Sequence, residues 1–182
     1  MSKTIRINIQ SFFTFYIITL SLLSCENTKE EIDHLKYKSP PPDLIVKGKI
    51  LFSVGGILKS TVSGDTILRS NVENSSIFPA GIFIESYDST QNKVATLRAD
   101  SAIYYGNNEE AFFFRNVLVI NLKTKDTMWG EDLTIKFTLD SILTQNKVHI
   151  KTKDKNIYGS AFHSNLNLTN YFINDPKGTI IH

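Results

Sequence analysis

The chain is poor in the residues that build most enzyme sites and most stapled secreted folds. It has one cysteine, Cys25, in 182 residues, so no disulfide can form within it. Its four histidines, His34, His149, His163 and His182, are scattered, and none stands at a metal-ligand spacing from Cys25 or from another histidine. This pattern points to no metal and no cofactor. Neither a nucleophile-elbow serine nor a phosphate-cradling glycine loop is present. The acidic pairs Glu109-Glu110 and Glu131-Asp132 are adjacent in sequence, which reads as a solvated rim and not as two acids converging across a cleft. Charge of one sign is also missing. The formal +2 comes from Lys3 and Arg6, and residues 25–182 carry 18 basic and 18 acidic side chains. A neutral surface argues against nucleic acid as a partner, since that needs a concentrated basic face. The one tryptophan, Trp129, reads as core packing in preference to a sugar-stacking platform.

What the chain does have begins with its first 24 residues. Lys3 and Arg6 precede an apolar run containing Phe12, Phe13, Phe15, Tyr16, Ile17, Ile18, Leu20, Leu22 and Leu23, in the order of a secretory signal. The run is short and interrupted by Ser and Thr, whereas a spanning helix needs about 20 mainly apolar residues. It ends in Leu22-Leu23-Ser24-Cys25, which resembles a bacterial lipobox; Cys25 is then the expected lipid anchor. Residues 25–43 read as a lipidated N-terminus and a charged tether, stiffened by Pro40-Pro41-Pro42.

From Leu44 to His182 apolar and aromatic runs alternate with turn clusters every 8–12 residues, without a helical stripe. Strands are expected near 44–54, 57–63, 66–70, 81–87, 93–99, 101–105, 110–122, 127–137, 140–144, 146–152, 156–163 and 168–174. Gly55-Gly56, Ser89–Asn92, Gly106–Asn108, Lys123–Asp126 and Asp154–Asn156 supply residues that tolerate hairpin geometry. A weak repeat places small residues at Gly64, Ala99, Gly130 and Gly159, where a strand can bend from one layer to the other. The expected fold is all-β, an antiparallel twisted jelly roll or folded sheet pair built from repeated hairpins. Along Glu110–Leu122 apolar residues occupy both faces: Phe112 and Phe114 oppose Phe113, and Val117 and Val119 oppose Leu118, Ile120 and Leu122. Such a strand is ordinary sandwich core or, in part, the lining of an apolar groove.

Phe78-Pro79-Ala80-Gly81-Ile82, Tyr87-Asp88, Ala99-Asp100, Ile103-Tyr104-Tyr105 and Asn116-Val117 with Asn121 carry a resemblance in their order and spacing. It continues through Glu131-Asp132-Leu133, Tyr158–Phe162, Ser164, Tyr171 and Pro176-Lys177-Gly178. Together they resemble the LptC family of lipopolysaccharide-export periplasmic proteins, in its lipoprotein form. There are three departures from the pattern: Arg115 and Ala161 stand where glycine is expected, and Ile135-Lys136 replaces an aromatic–Asp pair. The resemblance implies a non-enzymatic bridge component on the periplasmic side of the inner membrane. It implies three partners: lipopolysaccharide through its lipid A acyl chains, an inner-membrane ABC exporter complex, and a periplasmic bridge β-protein joined by edge-strand pairing. Candidate groove residues are Ile82, Ile84, Leu97, Phe112, Phe114, Val117, Val119, Leu133, Ile135 and Phe137. The competing reading is a surface-exposed lipoprotein binding module for a glycan or protein; the position of the anchor, inner or outer membrane, separates the two.

Overall fold

The computed structural model describes residues 40–166 and 171–180. The expected signal segment, Cys25 and most of the tether lie outside them. The described chain forms eleven strands: β1 (Asp43–Val54), β2 (Ile57–Ser70), β3 (Ser75–Phe78), β4 (Ile82–Tyr87), β5 (Lys93–Ala99), β6 (Ser101–Tyr105), β7 (Glu110–Asn121), β8 (Thr127–Lys136), β9 (Ser141–Lys151), β10 (Lys155–Ser164) and β11 (Tyr171–Ile180). One three-residue 3-10 turn, Phe137–Leu139, follows β8. Every strand pairing is antiparallel. The fold is all-β, as the pattern of runs and turns requires.

The long strands hold the architecture together. The first half of β2 pairs with β4 and its second half with β3. The first half of β7 pairs with β6 and its second half with β5. Two side-by-side paths, β4–β5 and β3–β6, therefore connect β2 to β7, after which β8, β9, β10 and β11 follow in order. Buried residues from both paths form one apolar cluster, so the sheet folds over along the line between them and the two halves face each other.

Sequence punctuation misled in two places. Gly64-Asp65 and Gln145 read as breaks, yet β2 and β9 each run through them as one strand. β2 bends over a small residue and keeps Gly64 paired with Gly48, whereas β9 passes Gln145 through a register shift. In the other direction, no strand is expected between residues 70 and 81, yet Ser75–Phe78 forms the four-residue β3. Asn74 takes the left-handed backbone (φ 49°) that turns β2 into β3.

The fold line is a row of irregularities. Register shifts fall between Phe114 and Val117, between Gly130 and Thr134, and on either side of Ser160. Arg115 (φ 60°), Asn116 (φ 50°) and Ala161 (φ 49°) are left-handed there. The two positions where family-like glycine is missing are thus positions whose backbone favours glycine. The four small residues singled out by the repeat stand on or beside the same line, without left-handed backbone. Gly64 pairs with Gly48, Ala99 ends β5, Gly130 is the last paired residue before the β8 irregularity, and Gly159 lies two residues before Ala161. Their smallness serves close approach. A Cβ on Gly64 would meet the Phe78 ring at 2.9 Å, and one on Gly159 would collide with Ile173.

Candidate functional site: an apolar interior between two open edges

Alternation along each strand lines the residues of one face into rows that run across the sheet. In one half the row Ile50–Val62–Ile84–Leu97–Val119–Met128–Ile150–Ile157 crosses eight strands without a polar side chain. Facing it in the other half is Phe78–Ala102–Phe113–Leu133, with Ala111–Ile135–Ile142 alongside. These rows are the interior. Ile67, Phe113, Val117, Leu133 and Phe162 are almost wholly enclosed, so in this state the interior is filled by its own side chains.

Of the groove candidates, Ile82, Leu97, Val117, Val119, Leu133 and Ile135 are buried there, and Ile84 is packed against them. Phe112 and Phe114 are not interior residues. They stand on the outer face of β7, where Phe112 meets Tyr105 edge-on and Phe114 is exposed; Phe113 is the inward ring. The correction follows from parity, since only one of two neighbours on a strand can face the core. Phe137 lies beyond β8 in the 3-10 turn and is exposed. Trp129 also turns outward, because Met128 beside it takes the inward place.

Phe137 nevertheless takes part in the interior's closure. Phe52 lies four residues from the Gly48–Gly64 pair in one half, and Tyr104 lies four from Asp100 in the other. The Tyr104 ring meets Phe52 and Phe137 edge-to-face, each at 6.4 Å between centroids. This cluster closes the side opposite the fold line. Burial, with Glu109 nearby, lifts the Tyr104 hydroxyl above its ordinary pKa of 10.0. The composition of the strands did not single out Phe52 or Tyr104; only the folding-over brings them together.

The two ends of the sheet differ from its middle. β1 has β2 as its one partner among the described residues, and β11 has β10. Each presents a row of backbone groups to solvent, the requirement for pairing with another strand. On β1 that edge is also apolar, with Leu44, Val46, Leu51 and Val54 exposed. Pro176 on β11 fits an edge strand, where a missing N–H costs no internal ladder bond.

Polar groups gather outside. Glu85 accepts hydrogen bonds from Thr61 Oγ1 and Tyr87 Oη, each at 3.1 Å, and pairs with Lys93. The Lys93 ammonium, with the two hydroxyls, holds its carboxyl below the ordinary carboxylate range despite partial burial. At the β4–β5 turn, Asp88 caps Thr90 and Asn92, which depresses its pKa to about 2. No group of three His, Cys, Asp or Glu close enough to hold a metal occurs among the described residues. His149 and His163 bond instead to Asn156 and Ser141.

The family model described as "Lipopolysaccharide-assembly, LptC-related" matches residues 13–171. No curated protein matches the chain. Among solved structures, the chain is similar to the crystal structure of LptH, the LptA-homologous periplasmic component of the lipopolysaccharide transport device of Pseudomonas aeruginosa. Identity is 13%, covering 53% of this chain and 76% of that one, with a TM-score of 0.38.

Proposed function

The chain belongs to the lipopolysaccharide-assembly, LptC-related family, and from that premise we propose that it is a non-enzymatic, lipid-anchored segment of a lipopolysaccharide bridge. It takes lipid from an inner-membrane ATP-driven exporter and passes it outward, serving the biogenesis of the outer membrane. The observation that carries this reading is the unbroken apolar row from β1 toward β10, running across the strands in the direction that links one edge to the other. Leaving a twelve-carbon acyl chain in water costs about 10 kcal/mol at ~0.8 kcal/mol per methylene, so a carrier needs such a track.

Since the interior is filled, acyl chains enter by parting the two halves on the side closed by Phe52, Tyr104 and Phe137. Edge-to-face ring contacts are worth about 0.5–1.5 kcal/mol each beyond burial, a closure weak enough to open repeatedly. Lipid then replaces side-chain contacts with equivalent ones, and no single position holds it tightly. β1 and β11 are the docking edges for neighbouring β-domains, and acylation of Cys25 holds the domain to the periplasmic face of the inner membrane.

Photo-crosslinking in cells tests the reading. A photoreactive residue at Ile84 or Val119 should capture lipopolysaccharide, and one at Phe114 on the outer face should not. Opening the closure with Phe52→Ala and Tyr104→Ala together should raise the rate of capture. Equal capture inside and outside, or normal lipopolysaccharide delivery after depletion of the protein, refutes the assignment. Membrane fractionation decides the anchor: a Cys25→Ala protein should leave the inner-membrane fraction.

A further inference from the structure

A second feature lies on the outer face, across the sheet from the lipid track and independent of it. Trp129, His149 and Tyr158 are register partners on β8, β9 and β10, and their rings stack: Trp129 on His149 at 4.7 Å and 16°, His149 on Tyr158 at 4.1 Å and 5°. His149 covers the side of Trp129 toward β9. The other side of the indole faces β7, where its cross-strand partner is Leu118, and Arg98 on β5 follows beyond that. Two strand spacings, about 10 Å, separate Arg98 from Trp129. These residues border a cleft of 590 Å³ at the fold line, within the range of about 300–1,000 Å³ that holds small ligands.

Cross-strand ring stacking stabilises a sheet by itself, and that accounts for His149 in the middle of the stack. It does not account for an exposed indole at the end of the stack, over a slot with unengaged polar walls. Arg98, Glu131 and Lys147 border the cleft, and no hydrogen bond or ion pair among the described residues engages their side chains. Asp100 adds an acid, already bonded to Asn116. Two cations and two anions therefore border the cleft and leave it without net charge, which disfavours phosphates and polyamines alike. A sugar ring matches what remains. Its C–H face suits the exposed part of the indole and the Leu118 side chain beside it, and its hydroxyls both donate and accept, as Arg98, Lys147 and Glu131 require.

The geometry points to a site for a neutral oligosaccharide in this cleft, with Trp129 as the stacking platform and Arg98 and Glu131 as the polar walls. Two sources supply that chemistry at a cell envelope: the sugar portion of lipopolysaccharide and the amino-sugar strands of the wall. The site holds the domain against one of them while lipid moves through the interior.

Trp129 is the only tryptophan in the chain, so its emission reports on the site directly. The full-length protein in detergent is titrated with chitotriose and, separately, with an uncharged hexose oligosaccharide from the outer part of lipopolysaccharide, freed of lipid and of its carboxylate- and phosphate-bearing inner sugars. A saturable change with either one supports the site, and the tighter of the two names the source. Arg98→Ala, an exposed change that leaves the core untouched, should weaken binding about tenfold. Trp129→Ala should abolish it by calorimetry, while crosslinking of lipid at Val119 stays unchanged. No saturable response to either sugar, or displacement of bound sugar by inorganic pyrophosphate at equal strength, overturns the proposal.

Discussion

Between β2 and β7 the sheet changes layer by changing strands; beyond β7 it changes layer inside them. In the first region the chain crosses over through Pro79–Gly81 and through Asp100, short connections between separate strands. Gly81 carries the positive φ that the first crossing needs, 101°, at no steric cost. In the second region β7, β8, β9 and β10 run through the fold line, and left-handed residues and register shifts absorb the turn. Crossing by connection is conformationally cheap but leaves short strands such as β3. Crossing by bulge keeps ten- to twelve-residue strands whole, and places non-glycine residues in a conformation that costs roughly 1–2 kcal/mol each. The second region is where the apolar row that begins on β1 continues unbroken to β10, carried by whole strands.

The largest test asks whether both regions share one core. Phe113→Ala removes the inward ring at their junction and should cost about 3–5 kcal/mol in urea unfolding, in one transition. Two separate transitions would break the single-core picture. Next, the glycines of the fold line should differ by their neighbours. Gly159→Ala forces a Cβ into Ile173 and the Asn174 carbonyl and should cost about 1–3 kcal/mol. Gly130→Ala, whose nearest neighbour is the Asp132 oxygen at 3.3 Å, should cost less than about 1 kcal/mol by the same measurement.

Smaller and opposite in sign are the left-handed positions of the second region. Arg115→Gly and Ala161→Gly should each stabilise by about 0.5–1 kcal/mol, the relief of left-handed strain less the entropy of glycine. For Arg115 the losses are small: a distant pair with Asp100 at 3.9 Å and a 3.4 Å bond to Ser101, both exposed. No gain at either site would show that the bulges are unstrained.

The smallest effect is acid sensitivity of the first region. Glu85 and Asp88 both have folded pKa values below their unfolded ones, so their contribution is complete above the ordinary carboxylate range. It falls away as pH drops through that range toward 2. Glu85→Gln should flatten the stability profile between about pH 5 and 3; an unchanged slope would remove Glu85 from the account.

Much of this was legible in the chain because strand physics is local. Period-two alternation set Phe113 against Phe112 and Phe114, and Val117 and Val119 against Leu118 and Ile120, and the burial within each stretch follows it. The same alternation was available at Met128-Trp129, and applying it would have turned Trp129 outward. At Phe112 and Phe114 hydrophobicity alone does not distinguish the faces of a strand whose outer side also carries apolar residues. β3 was hidden by its length, four residues with two serines.

The sequence by itself determined the class of the fold, most of its turns and the alternation of faces along its strands, because these depend on near neighbours along the backbone; the order and spacing of its motifs carried the family. Tertiary structure alone decided that β2 hands over to two partners, that Phe52 meets Tyr104, and that three rings from three strands stack at one cleft. Those juxtapositions join residues tens of positions apart, and the register that unites them exists once the sheet has folded over on itself.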